Sequence, residues 1–148
     1  MKKTITYINN RKASYNYYID ESYHAGIVLS GSEVKSIRSG HANISEAYCY
    51  FSGNELFLKN AFIKSQNNLM FGHKELQDRK LLLSKHELRE LHKAYDTKGL
   101  SIIPLSIEVP ARGYIKLNIA ICRGKHNYDK RDAIKQRDIE RDLMFFKK

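Results

Sequence analysis

Ile103-Pro104-Leu105-Ser106-Ile107-Glu108-Val109-Pro110-Ala111-Arg112-Gly113-Tyr114-Ile115-Lys116-Leu117-Asn118-Ile119-Ala120-Ile121 contains two apolar series of period two. Ile103, Leu105, Ile107 and Val109 alternate with small or polar neighbours, and Ile115, Leu117, Ile119 and Ile121 do the same. Successive side chains of a strand point to opposite faces, so each series predicts a strand with one buried face. The intervening Pro110-Ala111-Arg112-Gly113 has turn chemistry, and the whole reads as an antiparallel hairpin. Pro104 has no N–H for a ladder and marks a bulge or an edge.

Upstream, Ala47 to Phe51 and Glu55 to Ile63 are aromatic-rich runs joined by Ser52-Gly53-Asn54, a second hairpin with Gly and Asn where positive φ is needed. Tyr15 to Leu29 is a strand or a bent pair, with Gly26 at the bend. Two short helices interrupt the strands. Ser30-Gly31-Ser32-Glu33 has capping-box spacing, with Val34 and Ile37 three apart and Gly40 as a stop. Ser84-Lys85-His86-Glu87 repeats the box, Leu88, Leu91 and Tyr95 share one face, and Lys98-Gly99 closes the helix. Lys64 to Lys80 follows neither period and is long for a loop inside a compact domain, which suggests a functional or mobile segment. Six or so antiparallel strands with short helices predict a mainly β fold, a small OB-like barrel over residues 1–122; a split sheet covered by helices is the alternative.

From Arg123 the character changes. Ten of the fourteen residues from Asp129 to Asp142 are charged, and the apolar ones scatter around a helical wheel. Residues 123–148 therefore read as a basic tail without a core face, conditionally helical and ordering on a phosphate-rich surface. At 148 residues the chain is the size of one domain. Its 26 Lys and Arg against 16 Asp and Glu give a formal charge of +10, which favours a polyanionic partner, nucleic acid above all. A mean hydropathy of -0.55 and the absence of any long apolar run argue against a membrane protein. The basic N-terminus reaches Asn9, Asn10, Arg11 and Lys12 before a signal-peptide core could form, so a cytoplasmic location is expected.

No converging catalytic set stands out, and neither a cofactor nor a metal is expected. Glu33-Val34-Lys35 resembles the end of some metal-dependent nuclease sites, but no upstream Asp sits in a matching strand turn, and the pair reads as exposed on a short helix. His24, His41, His73, His86, His92 and His126 lack metal-ligand spacing. Cys49 and Cys122 sit in apolar runs, as buried thiols do. Binding is better supported: Arg11-Lys12 precedes Tyr15, Tyr17 and Tyr18, and Arg79-Lys80 precedes Leu81-Leu82-Leu83, which sets phosphate anchors beside faces for unpaired bases.

Taken together, Asn10-Arg11-Lys12-Ala13, Ala25-Gly26-Ile27-Val28-Leu29, Gly31-Ser32-Glu33-Val34-Lys35-Ser36-Ile37-Arg38-Ser39-Gly40, Ala42-Asn43-Ile44-Ser45, Gly53-Asn54-Glu55-Leu56, Arg79-Lys80-Leu81-Leu82-Leu83, Lys98-Gly99-Leu100, Gly124-Lys125 and Asp129-Lys130-Arg131 resemble the SsrA-binding protein (SmpB) family. The resemblance runs from about Asn10 to Arg137, and the Glu33 to Gly40 run and the Arg-Lys-Leu-Leu-Leu block are its most distinctive parts. It implies an antiparallel OB-like barrel with three helices and no catalytic activity. It also implies binding to the tRNA-like domain of tmRNA, and delivery of that RNA with elongation factor Tu to stalled ribosomes for trans-translation. The tail would lie as a helix near the decoding centre of the small-subunit rRNA. Carried over by position, the tmRNA-binding set is Asn10, Arg11, Lys12, His24, Arg79, Lys80 and Leu82, with Asn10 hydrogen-bonding and Leu82 in apolar contact. The ribosome-binding set is Arg123, Lys125, Tyr128, Asp129, Lys130, Arg131, Lys135 and Arg137, with Tyr128 placed to stack on an rRNA base. Two positions depart from the family pattern: His24 stands where a Glu usually precedes Ala-Gly, and Tyr15 where a His often follows the Asn-basic cluster. The general alternative is an OB-like RNA-binding or ribosome-associated protein of another kind, and a metal-dependent nuclease is the enzymatic rival.

Overall fold

A computed structural model describes residues 5–65 and 74–125. In chain order the elements are β1 (Ile5–Asn9), α1 (Ala13–Asn16), β2 (Tyr17–Ile27), α2 (Gly31–Arg38), β3 (Ala42–Asn43), β4 (Tyr48–Ser52), β5 (Glu55–Lys59), β6 (Phe62–Ile63), β7 (Arg79–Leu82), α3 (Lys85–Tyr95), β8 (Leu100–Pro110) and β9 (Lys116–Gly124). Every pairing is antiparallel. The large sheet runs β1-β8-β4-β5-β7-β2-β9, and an added β8–β9 pairing closes β8, β4, β5, β7, β2 and β9 into a barrel-like ring with β1 attached to β8. The mainly β, OB-like expectation with short helices holds in this form, and no helix among the described residues is long and apolar enough to cross a membrane.

The main core fills the ring with Ala25, Leu56, Leu58, Leu81, Ile102, Ile107, Leu117, Ile119 and their neighbours. In β9 the alternation falls as expected, but in β8 it changes phase. Register shifts between Pro104 and Ser106 leave Leu105 bulged, so Ile102 faces the main core together with Ile107 and Val109. Ile103 and Leu105 instead join Ala13, Ala120, Cys122 and Tyr17 in a smaller cluster. An extra residue in one strand reverses the facing of everything before it. Pro104 thus marks a bulge within a strand paired on both sides.

Asn10 completes the bulge. Its backbone N–H donates to the Leu105 carbonyl at 2.8 Å and its Nδ2 to the Pro104 carbonyl at 2.8 Å. Those bonds hold the chain so that Ala13 of α1 packs onto the smaller cluster, and the first residues of the expected strand from Tyr15 become helical. The β4–β5 turn is tighter than expected, because Ser52 pairs with Glu55 and only Gly53, at φ 63°, uses positive φ. Asn60 takes φ 62° and ends β5, so Phe62–Ile63 pairs with β3 rather than extending the hairpin.

Both longer helices start with the expected reciprocal capping boxes, Ser30 with Glu33 and Ser84 with Glu87. α2 is tied to the β8–β9 turn by Arg38, which donates to the carbonyls of Pro110 at 2.6 Å and Gly113 at 3.0 Å. α3 buries Leu91 completely and approaches β2 through Tyr23, whose Oη donates to Glu90 at 2.9 Å. Tyr95, expected on the buried face of α3, is 40% exposed.

Candidate nucleic-acid interface

Strand register assembles two rows on the outside of the ring. Tyr7, Glu108, Lys116, Gly26 and Leu82 are successive paired positions across β1, β8, β9, β2 and β7. Beside them run Asn9, Ser106, Asn118 and His24. Directly paired residues point to the same face, so these side chains share one surface. Two positions along β9 from Asn118 lies Ala120, part of the cluster on which Ala13 packs, and α1 with the preceding Arg11 and Lys12 therefore borders the second row.

Leu82, 52% exposed, is the apolar end of the first row. Its neighbour is Gly26, where an added Cβ would lie a tight 3.3 Å from the Leu82 Cβ. Lys80 projects from the same face of β7 and lies 3.6 Å from Glu55. His24 Nδ1 stands 3.3 Å from Glu108 Oε1. Lys12 pairs with exposed Glu46, whereas Arg11 and Lys116 are exposed with no carboxylate partner among the described residues. Asn118 Nδ2 donates to Ser106 Oγ at 2.7 Å, and its Oδ1 is buried with no partner among the described residues.

Two members of the expected set lie below this surface. Asn10 is buried, with Nδ2 on Pro104 and Oδ1 accepting from Lys12 N at 3.2 Å. Its side chain acts through position, fixing the segment that carries Arg11 and Lys12. Arg79 is 2% exposed and pairs through Nε with Glu33. Its Nη1 donates to the carbonyls of Ala61 at 2.8 Å and Gln77 at 3.0 Å, and its Nη2 to those of Lys74 and Glu75, each at 3.2 Å. With its fork committed inward, Arg79 organises the approach to β7 and leaves Lys80 and Leu82 on the surface. A phosphate anchor at Arg79 itself would need that fork withdrawn.

The same contacts correct the reading of Glu33-Val34-Lys35 as an exposed pair. Glu33 is buried, its Oε1 accepting from Ser30 N at 2.9 Å and its Oε2 from Arg79. Burial alone would raise its pKa, but the Ser30 N–H and the Arg79 guanidinium outweigh burial and hold the carboxyl below its ordinary range. Both oxygens being occupied, Glu33 does not offer the free carboxylate of a nuclease site. Burial likewise raises both thiols, Cys122 to about 11, and both cysteines are free and buried as expected.

Lys125 returns the chain to α1. Its N–H donates to the Asn16 carbonyl at 2.8 Å, its Nζ to the Ser14 carbonyl at 2.9 Å, and the ammonium lies 4.9 Å from the centre of the Tyr18 ring. Arg123 is exposed near the end of β9, opposite Tyr18 and Leu100. Tyr128, Asp129, Lys130, Arg131, Lys135 and Arg137 lie outside the described residues.

The family described as SmpB protein matches residues 7–147. The SsrA-binding protein of Flavobacterium johnsoniae is 48% identical over 149 residues, covering 100% of this chain and 98% of the relative. That of Cytophaga hutchinsonii is 49% identical over 138 residues, with 93% and 90% covered. This chain belongs to the SmpB family. A solved family structure, described as "tmRNA-SmpB: a journey to the center of the bacterial ribosome", superposes with a TM-score of 0.69 at 38% identity, covering 86% of this chain and 94% of that one. Against the family pattern, the face adds Lys116, Asn118, Gly26 and Glu108 to the residues expected from sequence. The alternation of β9 places 116 and 118 outward, so that signal was present; which strands flank β9 was not.

Proposed function

We propose that the protein binds the tRNA-like domain of tmRNA through the outer face of β1, β8, β9, β2 and β7, and delivers it to stalled ribosomes for trans-translation. Membership of the SmpB family along nearly the whole chain carries this reading. The geometry supplies its chemistry. Leu82 and Tyr7 offer apolar surface to unstacked bases, and Arg11, Lys12, Lys80 and Lys116 surround them with positive charge for phosphates. His24, Asn118 and Ser106 put polar groups between, while Asn10 and Arg79 hold the two basic-apolar segments in place from beneath. No group transfer is asked of these residues, and the reading is of a binding protein working in the cytoplasm with elongation factor Tu in the delivery complex.

The tail from residue 126, with Tyr128, Asp129, Lys130, Arg131, Lys135 and Arg137, is proposed to reach the small-subunit rRNA at the decoding centre. The last described residue before it, Lys125, is bonded to Asn16 and Ser14 at α1. Competition binding tests the first half: the protein should retain tmRNA in the presence of excess tRNA. Leu82→Asp should weaken tmRNA binding at least about tenfold, roughly 1.4 kcal/mol, with an unchanged melting temperature. Equal retention of tRNA, or full affinity in Leu82→Asp, would sink this assignment.

A further inference from the structure

α3 presents charge that the outer face does not use. Its carboxylates are engaged: Glu87 closes the capping box, Glu90 accepts from Tyr23 and lies 3.0 Å from His86, and Asp96 at the C-cap lies 3.0 Å from His92. Lys85, Arg89 and Lys93 are exposed and have no carboxylate partner among the described residues. Spaced four apart, they recur about every 6 Å along one side of the helix. They border a groove of about 600 Å³ between α3 and the β4–β5 hairpin, lined also by Phe51, Leu88 and His92. The Phe51 ring is tilted against His92 at 4.6 Å and against Tyr95 at 5.5 Å, which fixes an aromatic wall there.

An apolar floor alone would suit many occupants, but three unopposed cations in step along its edge select a partner with regularly repeated negative charge. A flat group is needed for the wall. RNA in single-stranded form has both, a phosphate for each nucleotide and a base free to stack. The chain's own residues 126–148 carry seven Lys and Arg against five Asp and Glu, so charge disfavours their folding back onto this edge. We propose that the groove is a second RNA site, taking a single-stranded segment with its phosphates along Lys85, Arg89 and Lys93 and a base against Phe51. It shares no residue with the tmRNA face and goes beyond that reading, giving the protein a surface for another RNA or another part of the same one.

The chain has no Trp, so Phe51→Trp in the full-length protein places a single fluorophore in the groove. Titration with a twelve-nucleotide oligouridylate should quench it saturably. Adding K85Q/R89Q/K93Q should weaken that titration roughly tenfold or more and lower its logarithmic salt slope by about 2, at about 0.7 for each single-strand phosphate no longer neutralised. The control K35Q/K59Q/K64Q, elsewhere on the surface, should leave both within about twofold. Oligouridylate carrying 4-thiouridine, photocrosslinked to the protein with Phe51 intact, should label α3 or Phe51, which covers the case of an unstable Trp variant. Leu82→Asp should lose the tRNA-like domain yet keep the quench, so the two sites fail separately. Unchanged fluorescence with no crosslink in the groove, an equal effect of the control triple, displacement by polyglutamate as effective as by RNA, or loss of the quench in Leu82→Asp would overturn the proposal.

Discussion

Arg79 and Glu33 show how far a single pair governs the binding face without entering it. The two are 46 residues apart, and the guanidinium ties α2 to the segment that leads into β7. Removing one partner strands a buried charge, so Arg79→Ala should cost about 3–5 kcal/mol in thermal or denaturant unfolding. Glu33→Gln should also destabilise at neutral pH. Because the folded Glu33 carboxyl sits below the unfolded value of about 4.3, its contribution is present above that pH and lost as pH falls through the lower folded value. The stability gap between the natural protein and Glu33→Gln should therefore narrow below about pH 4; a constant gap down to acid pH would contradict the ion pair. None of this pairing was legible in the sequence. Arg79 reads as a surface cation until the ring closes around it, and Glu33 reads as a capping residue, which is only half its role.

His24 belongs to the same scale. The resemblance implied a Glu where His24 stands, and Glu108 of β8 lies against His24, so the face keeps an acidic group 3.3 Å from it. Glu108→Gln should then weaken tmRNA binding more than His24→Ala does. His24→Glu alone places two carboxylates side by side and should bind less tightly than His24→Glu combined with Glu108→Gln. Equilibrium binding of the tRNA-like domain to the four variants tests this, and indifference to Glu108 would contradict it.

At the scale of elements, the helix caps and the hairpins were legible because their signals are local: Ser and Glu three apart, Gly53 in a two-residue turn, and the period-two series Leu117, Ile119 and Ile121 along β9. The phase of β8 was not, since Pro104 signals a fault in the ladder without saying which residue is extruded. Asn10 supplies the missing information from the residue just past β1, 94 positions away in sequence. Asn10→Asp keeps an acceptor for the Lys12 N–H but removes the donor to Pro104, leaving a buried carbonyl unpaired at a cost of about 1–3 kcal/mol. The melting temperature should fall and tmRNA affinity with it, as the α1 segment loosens. An Asn10→Asp protein with native stability and lost affinity would instead make Asn10 a direct RNA contact.

Across the whole molecule, the +10 charge is shared among a sheet face with apolar and polar rows, the exposed side of α3 and a tail whose sequence has no core-forming side. Counterion release should make the proposed RNA contacts salt-dependent, with a logarithmic slope near 0.7 to 0.9 for each phosphate neutralised. The face and the tail are proposed to serve different steps. The sequence of residues 132–148 has no core-forming side, so their deletion should spare the fold, and binding of the tRNA-like domain is proposed to belong to the face. The most direct measurement sets tmRNA affinity beside peptide tagging on stalled ribosomes for the full-length and truncated proteins. The truncated protein should bind tmRNA within a few-fold of full length and fail to support tagging; intact tagging after truncation, or collapse of tmRNA binding together with it, would overturn this division of labour.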